Sequence, residues 1–145
     1  MVKFRSFRSS DRATVMALLD ANIPTAFAAN ERPAFEAFLD RVSGAYQVAF
    51  EDERAIAAFL LILEAAGRGR INWFMAHPDA HGRGLGKQMM EAVRADARAQ
   101  GLAVIDIAAS HVSEGFYAKF GATVLSRTAH GWGPDMHRVD MEWAV

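Results

Sequence analysis

Three glycines at alternating positions, Gly82, Gly84 and Gly86, connect an apolar segment to an amphipathic helical pattern. Glycine allows the backbone to turn tightly and to approach a ligand closely. The first turn of a helix adds N–H groups without an intrahelical partner and the positive end of the helix dipole. The stretch therefore predicts a binding site for an anion, most simply a phosphate group.

The spacing of this stretch excludes two familiar phosphate motifs. A dinucleotide-binding fingerprint requires a further glycine where Lys87 and Met89 stand, and a P-loop requires Ser or Thr where Gln88 stands. Residues 81–86 instead resemble the acyl-coenzyme A pyrophosphate loop of the GNAT superfamily of N-acetyltransferases, written (Gln/Arg)-x-x-Gly-x-(Gly/Ala). His81 departs from the usual first residue, but in this family the loop holds pyrophosphate mainly through backbone amides.

A second pattern lies downstream, where residues 110–122 read Ser-His-Val-Ser-Glu-Gly-Phe-Tyr-Ala-Lys-Phe-Gly-Ala. It resembles the recurring GNAT pattern (Asn/Ser)-x-x-Ala-x-x-Phe-Tyr-x-x-x-Gly-Phe, with Ser113 in place of Ala and Ala122 in place of Phe. In the family the tyrosine hydroxyl lies beside the cofactor sulfur, so the resemblance makes Tyr117 the proton donor to the leaving thiolate. A phenol with a reference pKa of about 10 is neutral at pH 7 and can supply that proton.

The resemblance implies acetyl-CoA as the co-substrate, no metal, and a set of binding positions. By family analogy, a backbone N–H within residues 74–76 polarises the thioester oxygen. Because the chain contains no cysteine, a cysteinyl acyl-enzyme is excluded, and we expect direct attack by an amine in a ternary complex. The implied cofactor-binding residues are Phe74, Met75, Ala76, His81, Gly82, Arg83, Gly84, Leu85, Gly86, Lys87, Ser110, Phe116 and Tyr117.

An amine acceptor with a pKa near 10 is mostly protonated at neutral pH, so a base or a water chain must remove a proton before attack. The residues leave this base open among Glu64, His111, His130 and His137. We place Glu64, at the end of a central strand, with Tyr117 in the predicted catalytic pair.

Composition limits the possible classes of protein. The 145 residues are 52% hydrophobic, enough for one domain over residues 1–145 with a substantial core. A formal charge of −1 with mixed signs gives no extended footprint for nucleic acid. The N-terminus lacks the apolar segment of a signal peptide, and the longest apolar run, residues 55–63, is too short to cross a membrane as a helix. We expect a cytoplasmic protein, with a homodimer as one possible assembly.

The elements that position these residues alternate along the chain. Period-two alternation and apolar runs predict strands at residues 2–7, 46–50, 55–63, 71–77, 102–109, 122–128 and 138–145. Apolar spacing of three and four predicts helices after Asp11, from Pro33 to near Ser43 and Gly44, from Leu85 to Gly101, and over residues 110–120. This order matches the GNAT fold, which implies an α/β (α+β) mixed sheet of six to seven strands with about four helices. In that fold a splayed parallel strand pair holds the cofactor.

The acceptor is less clearly marked. In GNAT enzymes the loop between the first two helices, here residues 22–30, and the loop before the last strand, here residues 129–134, select it. The first is small and apolar, and the second offers Trp132. We therefore expect a small-molecule or peptide amine with an apolar edge rather than a polycation.

Other interpretations of the same residues stay open. An intact cofactor loop also fits a non-catalytic acyl-CoA-binding sensor or regulatory module, and an unrelated nucleotide-binding protein is a third class. Alternating glycines before a helix can form a plain tight turn. Tyr117 can be a core aromatic residue beside Phe116 and Phe120.

Overall fold

The computed structural model of the chain describes residues 2–42 and 44–145. Within these residues, seven strands form one mixed sheet, and four α-helices pack on its two faces. The strands are β1 (Phe4–Ser6), β2 (Gln47–Glu51), β3 (Arg54–Ala65), β4 (Arg68–Ala76), β5 (Val104–Ser110), β6 (Thr123–Gly133) and β7 (Met136–Ala144). The helices are α1 (Arg12–Ala21), α2 (Arg32–Arg41), α3 (Leu85–Ala99) and α4 (Glu114–Ala118), and short 3₁₀ turns occupy Ser9–Asp11, Ala29–Glu31 and Pro78–Ala80.

The sheet contains one parallel pair at its centre. The strand order is β1-β2-β3-β4-β5-β7-β6, and the neighbours are antiparallel except for β4 and β5. The parallel register runs from Arg68 opposite Val104 to Ile71 opposite Ile107. In the described structure, residues 72–76 of β4 have no partner on β5, so the two strands diverge and leave a gap in the sheet.

Helices α1 and α2 cover the face of β2, β3 and β4 on one side of the sheet. Their apolar residues recur at helical spacing, which turns one stripe of each helix toward the sheet. Burial of each large apolar side chain contributes about 1.5–3 kcal/mol. The buried residues of this cluster include Val15, Leu18, Leu19, Phe35, Phe38, Leu39, Tyr46, Val48, Leu60 and Met75.

Helices α3 and α4 cover the opposite face. The stripe of α3 at four-residue spacing packs against β3, β4, β5 and β7, and Trp143 of β7 is among the largest buried side chains of the described structure. This second cluster therefore fixes α3 and α4 on the same face of the sheet, next to the gap between β4 and β5. It includes Phe59, Ile71, Met90, Val93, Ala97, Ile105, Ile107, Tyr117, Val139 and Met141.

Strand β4 begins earlier than the sequence suggests. We predict a turn at residues 67–70 from the two glycines and two arginines, but β4 already starts at Arg68. Arg68 lies 2.6 Å from Asp106 and 3.0 Å from Glu142, and Arg70 lies 2.7 Å from Glu64. These cross-strand ion pairs satisfy the charges, so residues typical of a turn extend the strand.

Strand β6 also differs from its prediction. The prediction places residues 129–134 in a loop, but β6 continues to Gly133 with an irregular register between Thr128 and Gly133. Residues 123–131 are all exposed. A strand without a buried face has no apolar alternation, so the sequence pattern fails to mark its full length.

Two helices end or begin away from their predicted limits. Helix α2 ends at Arg41 rather than near Ser43 and Gly44, and Ser43 lies outside the described residues. The helix predicted over residues 110–120 is confined to Glu114–Ala118. A turn that Ser110 and Ser113 stabilise occupies the residues before it.

Within the ranges 2–42 and 44–145, no helix has the length and apolar character needed to cross a bilayer. The same ranges contain no group of three or more His, Cys, Asp or Glu side chains arranged to hold a metal ion.

Candidate active site

The gap between β4 and β5 opens into a cleft of about 730 Å³. This volume lies within the range of small-molecule and cofactor sites, about 300–1,000 Å³. The glycine loop, the start of α3 and α4 line one end of the cleft. The loop before α2 and Trp132 of β6 line the other end, and the diverging ends of β4 and β5 lie between them.

The glycine loop turns sharply into α3. Gly82 and Gly84 have φ of +81° and +74°, in the left-handed region that favours glycine, and open space surrounds both positions. The first backbone bond of α3 runs from Gln88 N–H to Gly84 C=O over 3.1 Å. The N–H groups of residues 85–87 therefore have no acceptor within the helix, as at any helix N-terminus.

Gly86 is required for a different reason. A Cβ atom at this position would lie 2.6 Å from Cε1 of Phe116. The ring of Phe116 thus packs directly on the backbone of the first turn of α3. This contact joins the glycine loop to α4 across the cleft.

A bulge in β4 shapes the middle of the cleft. The register of β4 against β3 shifts between Ala58 and Leu60, where Trp73 adopts a φ of +46°. Such a conformation is rare for a bulky residue and persists only when its surroundings fix it. Tyr46, which is fully buried, donates its hydroxyl hydrogen to the Trp73 carbonyl oxygen over 2.8 Å.

The bulge sends two consecutive aromatic rings in different directions. The Trp73 ring packs against Phe35 at a centroid distance of 4.9 Å, on the side of α1 and α2. The Phe74 ring packs against Tyr117 at 5.6 Å, on the side of α3 and α4. Phe74 thereby joins the divergent part of β4 to Tyr117.

Tyr117 is 5% exposed and lines the cleft. Among the described residues, its hydroxyl has no hydrogen-bond partner, and burial raises the pKa of Tyr117 above its ordinary value. A hydroxyl at the cleft surface with a raised pKa remains protonated at neutral pH. It is available to donate a hydrogen bond to a ligand.

Two serines fix the turn that leads into α4. The Ser113 hydroxyl accepts a hydrogen bond from the Ser110 N–H over 3.1 Å, and the Ser110 hydroxyl accepts one from the Ser113 N–H over 3.2 Å. These reciprocal bonds set the start of α4 and therefore the position of Tyr117. Ser113, unusual at this place in the pattern, has a structural role here.

The model of the acetyltransferase (GNAT) family matches residues 15–122, most of the chain. The chain belongs to this family. The predictions of family, fold and enzyme class, an acyltransferase, are confirmed. Comparison with curated protein sequences gave no significant match.

Solved structures resemble this GNAT protein at low sequence identity. Ard1 from Thermoplasma volcanium gives a TM-score of 0.81 at 14% identity, over 99% of this chain and 97% of that one. The ribosomal-protein-S18-alanine N-acetyltransferase from Escherichia coli gives 0.77 at 11% identity, over 100% and 94%. An aminoglycoside 6'-N-acetyltransferase complexed with coenzyme A gives 0.73 at 10% identity, over 98% and 96%. At these identities the likeness shows the shared fold.

Most cofactor-binding residues expected from the sequence of this GNAT protein line the cleft. Arg83 is the exception. Its guanidinium lies 3.0 Å from the Glu51 carboxylate and lines a separate groove of about 780 Å³ between β1, β2 and α3. The residues that do line the cleft are Phe74, Met75, Ala76, His81, Gly82, Gly84, Leu85, Gly86, Lys87, Ser110, Phe116 and Tyr117.

Glu64 of the predicted catalytic pair is not among the described residues that line the cleft. Glu64 lies near the end of β3, one residue after Leu63, which pairs with Gly69 near the start of β4. A hydrogen bond from Arg70 lowers the pKa of Glu64. Its position and its lowered pKa do not support a role in accepting a proton from a substrate in the cleft.

The three histidines considered as bases form their own cluster. The His137 ring lies 4.8 Å from that of His111 and 4.7 Å from that of His130. Each Nδ1 accepts a backbone N–H: His111 from His137, His130 from Asp135, and His137 from His130. A neutral imidazole that accepts at Nδ1 carries its proton on Nε2, so neither nitrogen has a free lone pair. The described lining of the cleft contains none of the three.

Sequence reasoning gave no individual role to two buried polar residues of the cleft, Asn22 and Glu31. Asn22 is 5% exposed, and its amide donates to the carbonyls of Leu18 and Ala76 over 2.9 and 3.1 Å, which ties α1 to the end of β4. Glu31 is 9% exposed and lies one residue beyond the predicted acceptor loop. An acidic residue just before a helix is also typical of a cap, so the pattern gave no separate signal for a binding role.

Proposed function

We propose that this GNAT protein transfers an acetyl group from acetyl-CoA to a primary amine by direct attack in a ternary complex. One observation carries the proposal: the glycine loop, the diverging end of β4 and the hydroxyl of Tyr117 line a single cleft. Acetyl-CoA, when bound, supplies an acetyl group activated as a thioester. The chain's own residues have three separate tasks.

The glycine loop has the task of binding the pyrophosphate of the co-substrate. The left-handed Gly82 and Gly84 keep side chains away from the loop backbone, and the N–H groups of residues 85–87 lack intrahelical acceptors. Lys87 lines the same end of the cleft and adds positive charge. Donors, positive charge and space at a helix N-terminus all fit a phosphate group.

The backbone of β4 has the task of holding the acetyl carbonyl oxygen. Residues 74–76 line the cleft and lie beyond the last register pair with β5. A preorganised backbone N–H directed at this oxygen contributes about 3 kcal/mol to the stabilisation of developing charge. Tyr46 supports this geometry because it fixes the carbonyl of the preceding bulge.

Tyr117 has the task of holding a proton for the sulfur that leaves. Burial raises its pKa, which keeps the phenol protonated at neutral pH. We assign no proton transfer to Glu64, because it forms an ion pair with Arg70 and is not among the described residues that line the cleft.

The proposal is tested by following free thiol release from acetyl-CoA with a panel of primary amines. The chain has no cysteine, so the protein itself contributes no signal to an assay with a thiol reagent. We expect turnover with at least one amine, and we expect Tyr117→Phe to lower kcat while coenzyme A still raises the unfolding temperature. Coenzyme A binding without thiol release for every amine would instead favour the non-catalytic acyl-CoA-binding module.

A further inference from the structure

The two ends of the cleft carry different charges. The cationic side chains of Lys87 and Lys119 line the end formed by the glycine loop and α4. Of the described residues that line the cleft, Glu31 alone carries a carboxylate, and it lies at the opposite end, just before α2. This polarity suits an anionic ligand at one end and a cationic ligand at the other.

The carboxylate of Glu31 is incompletely satisfied. Its Oε2 accepts a hydrogen bond from the Ala28 N–H over 2.7 Å, and in the described part of the chain Oε1 has no hydrogen-bond partner. Burial raises the pKa of Glu31, while the Ala28 bond acts in the opposite direction. Glu31 lines the cleft and its Oε1 is not fully buried, so this oxygen is accessible from the cleft. An ammonium group there would form a charge-assisted hydrogen bond with it.

Aromatic rings surround this end of the cleft. Phe27 stacks on Trp73 with ring centroids 6.0 Å apart and an angle of 23° between the ring planes. Trp132 lines the same region, and its backbone carbonyl accepts a hydrogen bond from the Asn30 amide over 2.8 Å. This bond connects the segment before α2 to β6. We call the region formed by Phe27, Glu31, Trp73 and Trp132 the acceptor pocket.

The segment before α2 and strand β6 pack on each other beside the acceptor pocket. The two segments also approach closely at Gly133, where a Cβ atom would lie 2.1 Å from Oδ1 of Asn30. Aromatic faces bind both apolar groups and ammonium ions.

We propose that Glu31 binds the amino group of the acceptor in its ammonium form, before a base or water removes the proton and the neutral amine attacks, and that the apolar body of the acceptor lies against Phe27, Trp73 and Trp132. The assignment rests on the proposed acetyl transfer, since it names the class of amine that the same cleft receives. Glu31 is then an acceptor-binding residue that determines specificity, in addition to its contact with the Ala28 N–H.

The test compares two probes of equal shape, 2-phenylethylamine and 2-phenylethanol, of which only the first is cationic at pH 7.5. Binding of each probe to the protein saturated with coenzyme A is measured by titration calorimetry. We expect the wild type to bind the ammonium probe at least about 10-fold more tightly than the alcohol, the range for a hydrogen bond to a charged group. Glu31→Gln should remove most of that preference.

The glutamine variant is suited to this test because its amide oxygen can still accept the Ala28 N–H. Glu36→Gln is the matched control: Glu36 lies in α2, the helix that follows Glu31, is paired with Arg32 at 2.8 Å and does not line the described cleft. It should keep the wild-type preference. Thermal unfolding of each variant with and without coenzyme A checks that the fold and the cofactor site are retained.

Three results would overturn the assignment of Glu31: equal binding of both probes by the wild type, binding of neither, or an unchanged preference in Glu31→Gln. Failure of the proposed acetyl transfer has a different signature. In that case the wild type would prefer the ammonium probe but release no thiol from acetyl-CoA with any amine tested. Calorimetry and the thiol assay therefore separate the two failures.

Discussion

Tyr46 donates a 2.8 Å hydrogen bond to the carbonyl oxygen of Trp73, the residue with positive φ at the bulge of β4. Tyr46 belongs to the cluster under α1 and α2, whereas the bulge faces the cleft. The phenol thus links the rigid core to a strained part of the backbone that forms the site. Phe35 and Phe38 hold the Trp73 ring from the same side.

Tyr46→Phe is expected to destabilise the protein by about 1–3 kcal/mol, because the Trp73 carbonyl loses its partner in a part-buried setting. Urea denaturation followed by tryptophan fluorescence measures this change. Turnover should fall together with stability, since the bulge would relax. An unchanged midpoint in urea would show that the hydrogen bond does not hold the bulge.

Tyr117→Phe is expected to lower kcat about 100-fold or more, the size typical of a lost general acid. The ring contacts with Phe74 and Phe116 remain, so stability at pH 7 should change little. Slower thiol release with unchanged coenzyme A binding would show that Tyr117 acts in the reaction rather than in cofactor binding. Full activity in the variant would exclude a proton-donating role for Tyr117.

The raised pKa of Tyr117 has a consequence for stability at alkaline pH. A group whose pKa is raised in the folded state contributes stability below its unfolded pKa, here about 10. This contribution is lost as the pH rises through the folded pKa. The free energy of unfolding of the wild type should therefore decline above pH 10, and the decline should be smaller in Tyr117→Phe. Equal slopes for both proteins between pH 9 and 11 would contradict this assignment.

Gly84→Ala and Gly101→Ala form a matched pair at the two ends of α3. Both glycines have nearly the same φ, +74° and +73°, and neither has an atom within 4 Å of a built Cβ. Each substitution should cost about 1–2 kcal/mol of stability through backbone strain. Only Gly84→Ala should also raise the KM for acetyl-CoA, because Gly84 lies in the cofactor loop. An equal rise for both variants would mean that strain in α3, rather than the loop, sets cofactor affinity.

The site could be predicted from the sequence where local chemistry determines the geometry. The positive φ values of Gly82 and Gly84 follow from residue type, and the Phe116 and Tyr117 pair follows from a local pattern. The bulge at Trp73 could not be predicted, because nothing in a tryptophan favours positive φ. Its conformation depends on Tyr46, which is distant in sequence.

The sequence-based prediction of strand boundaries and catalytic residues was less accurate at charged residues whose ion-pair partners lie on other strands. Arg68 and Arg70 are typical of a turn until the sheet brings Asp106 and Glu142 beside Arg68, and Glu64 beside Arg70. Glu64 looked available for catalysis because its partner Arg70 was assigned to that turn. The pairing of charges across strands is a long-range property that residue spacing does not contain.

Asp11→Asn is expected to lower the free energy of unfolding at pH 7 by about 1.5–3 kcal/mol. Asp11 is 6% exposed, accepts two hydrogen bonds from Arg5 over 2.8 and 2.9 Å, and also accepts the Arg8 N–H over 2.8 Å. The side-chain hydrogen bond from Arg5 lowers the pKa of Asp11. The stability it supplies is therefore present above the ordinary value of about 3.9 and is lost as the pH falls through the folded value.

The control for this substitution is Asp40→Asn. The Asp40 side chain is 65% exposed and pairs with Arg12, so its loss should cost less than about 1 kcal/mol. Urea denaturation at pH 7 and at pH 3 compares the two variants. The difference between wild type and Asp11→Asn should shrink at pH 3, and an unchanged difference would show that the charge of Asp11 is not the stabilising feature.

Glu31→Gln is expected to separate stability from ligand binding. The pKa of Glu31 is raised by burial, so its ionisation disfavours the folded state once the pH exceeds the unfolded value of about 4.3. The neutral amide avoids this cost and can still accept the Ala28 N–H. At pH 7 the variant should therefore be at least as stable as the wild type, and near pH 4 the two should converge. If Glu31 acts only as a helix cap, the variant should be less stable than the wild type at pH 7, because it loses a charge-assisted hydrogen bond. In that case its preference between the two probes should not change. Urea denaturation at the two pH values, beside the probe titrations, distinguishes the two roles.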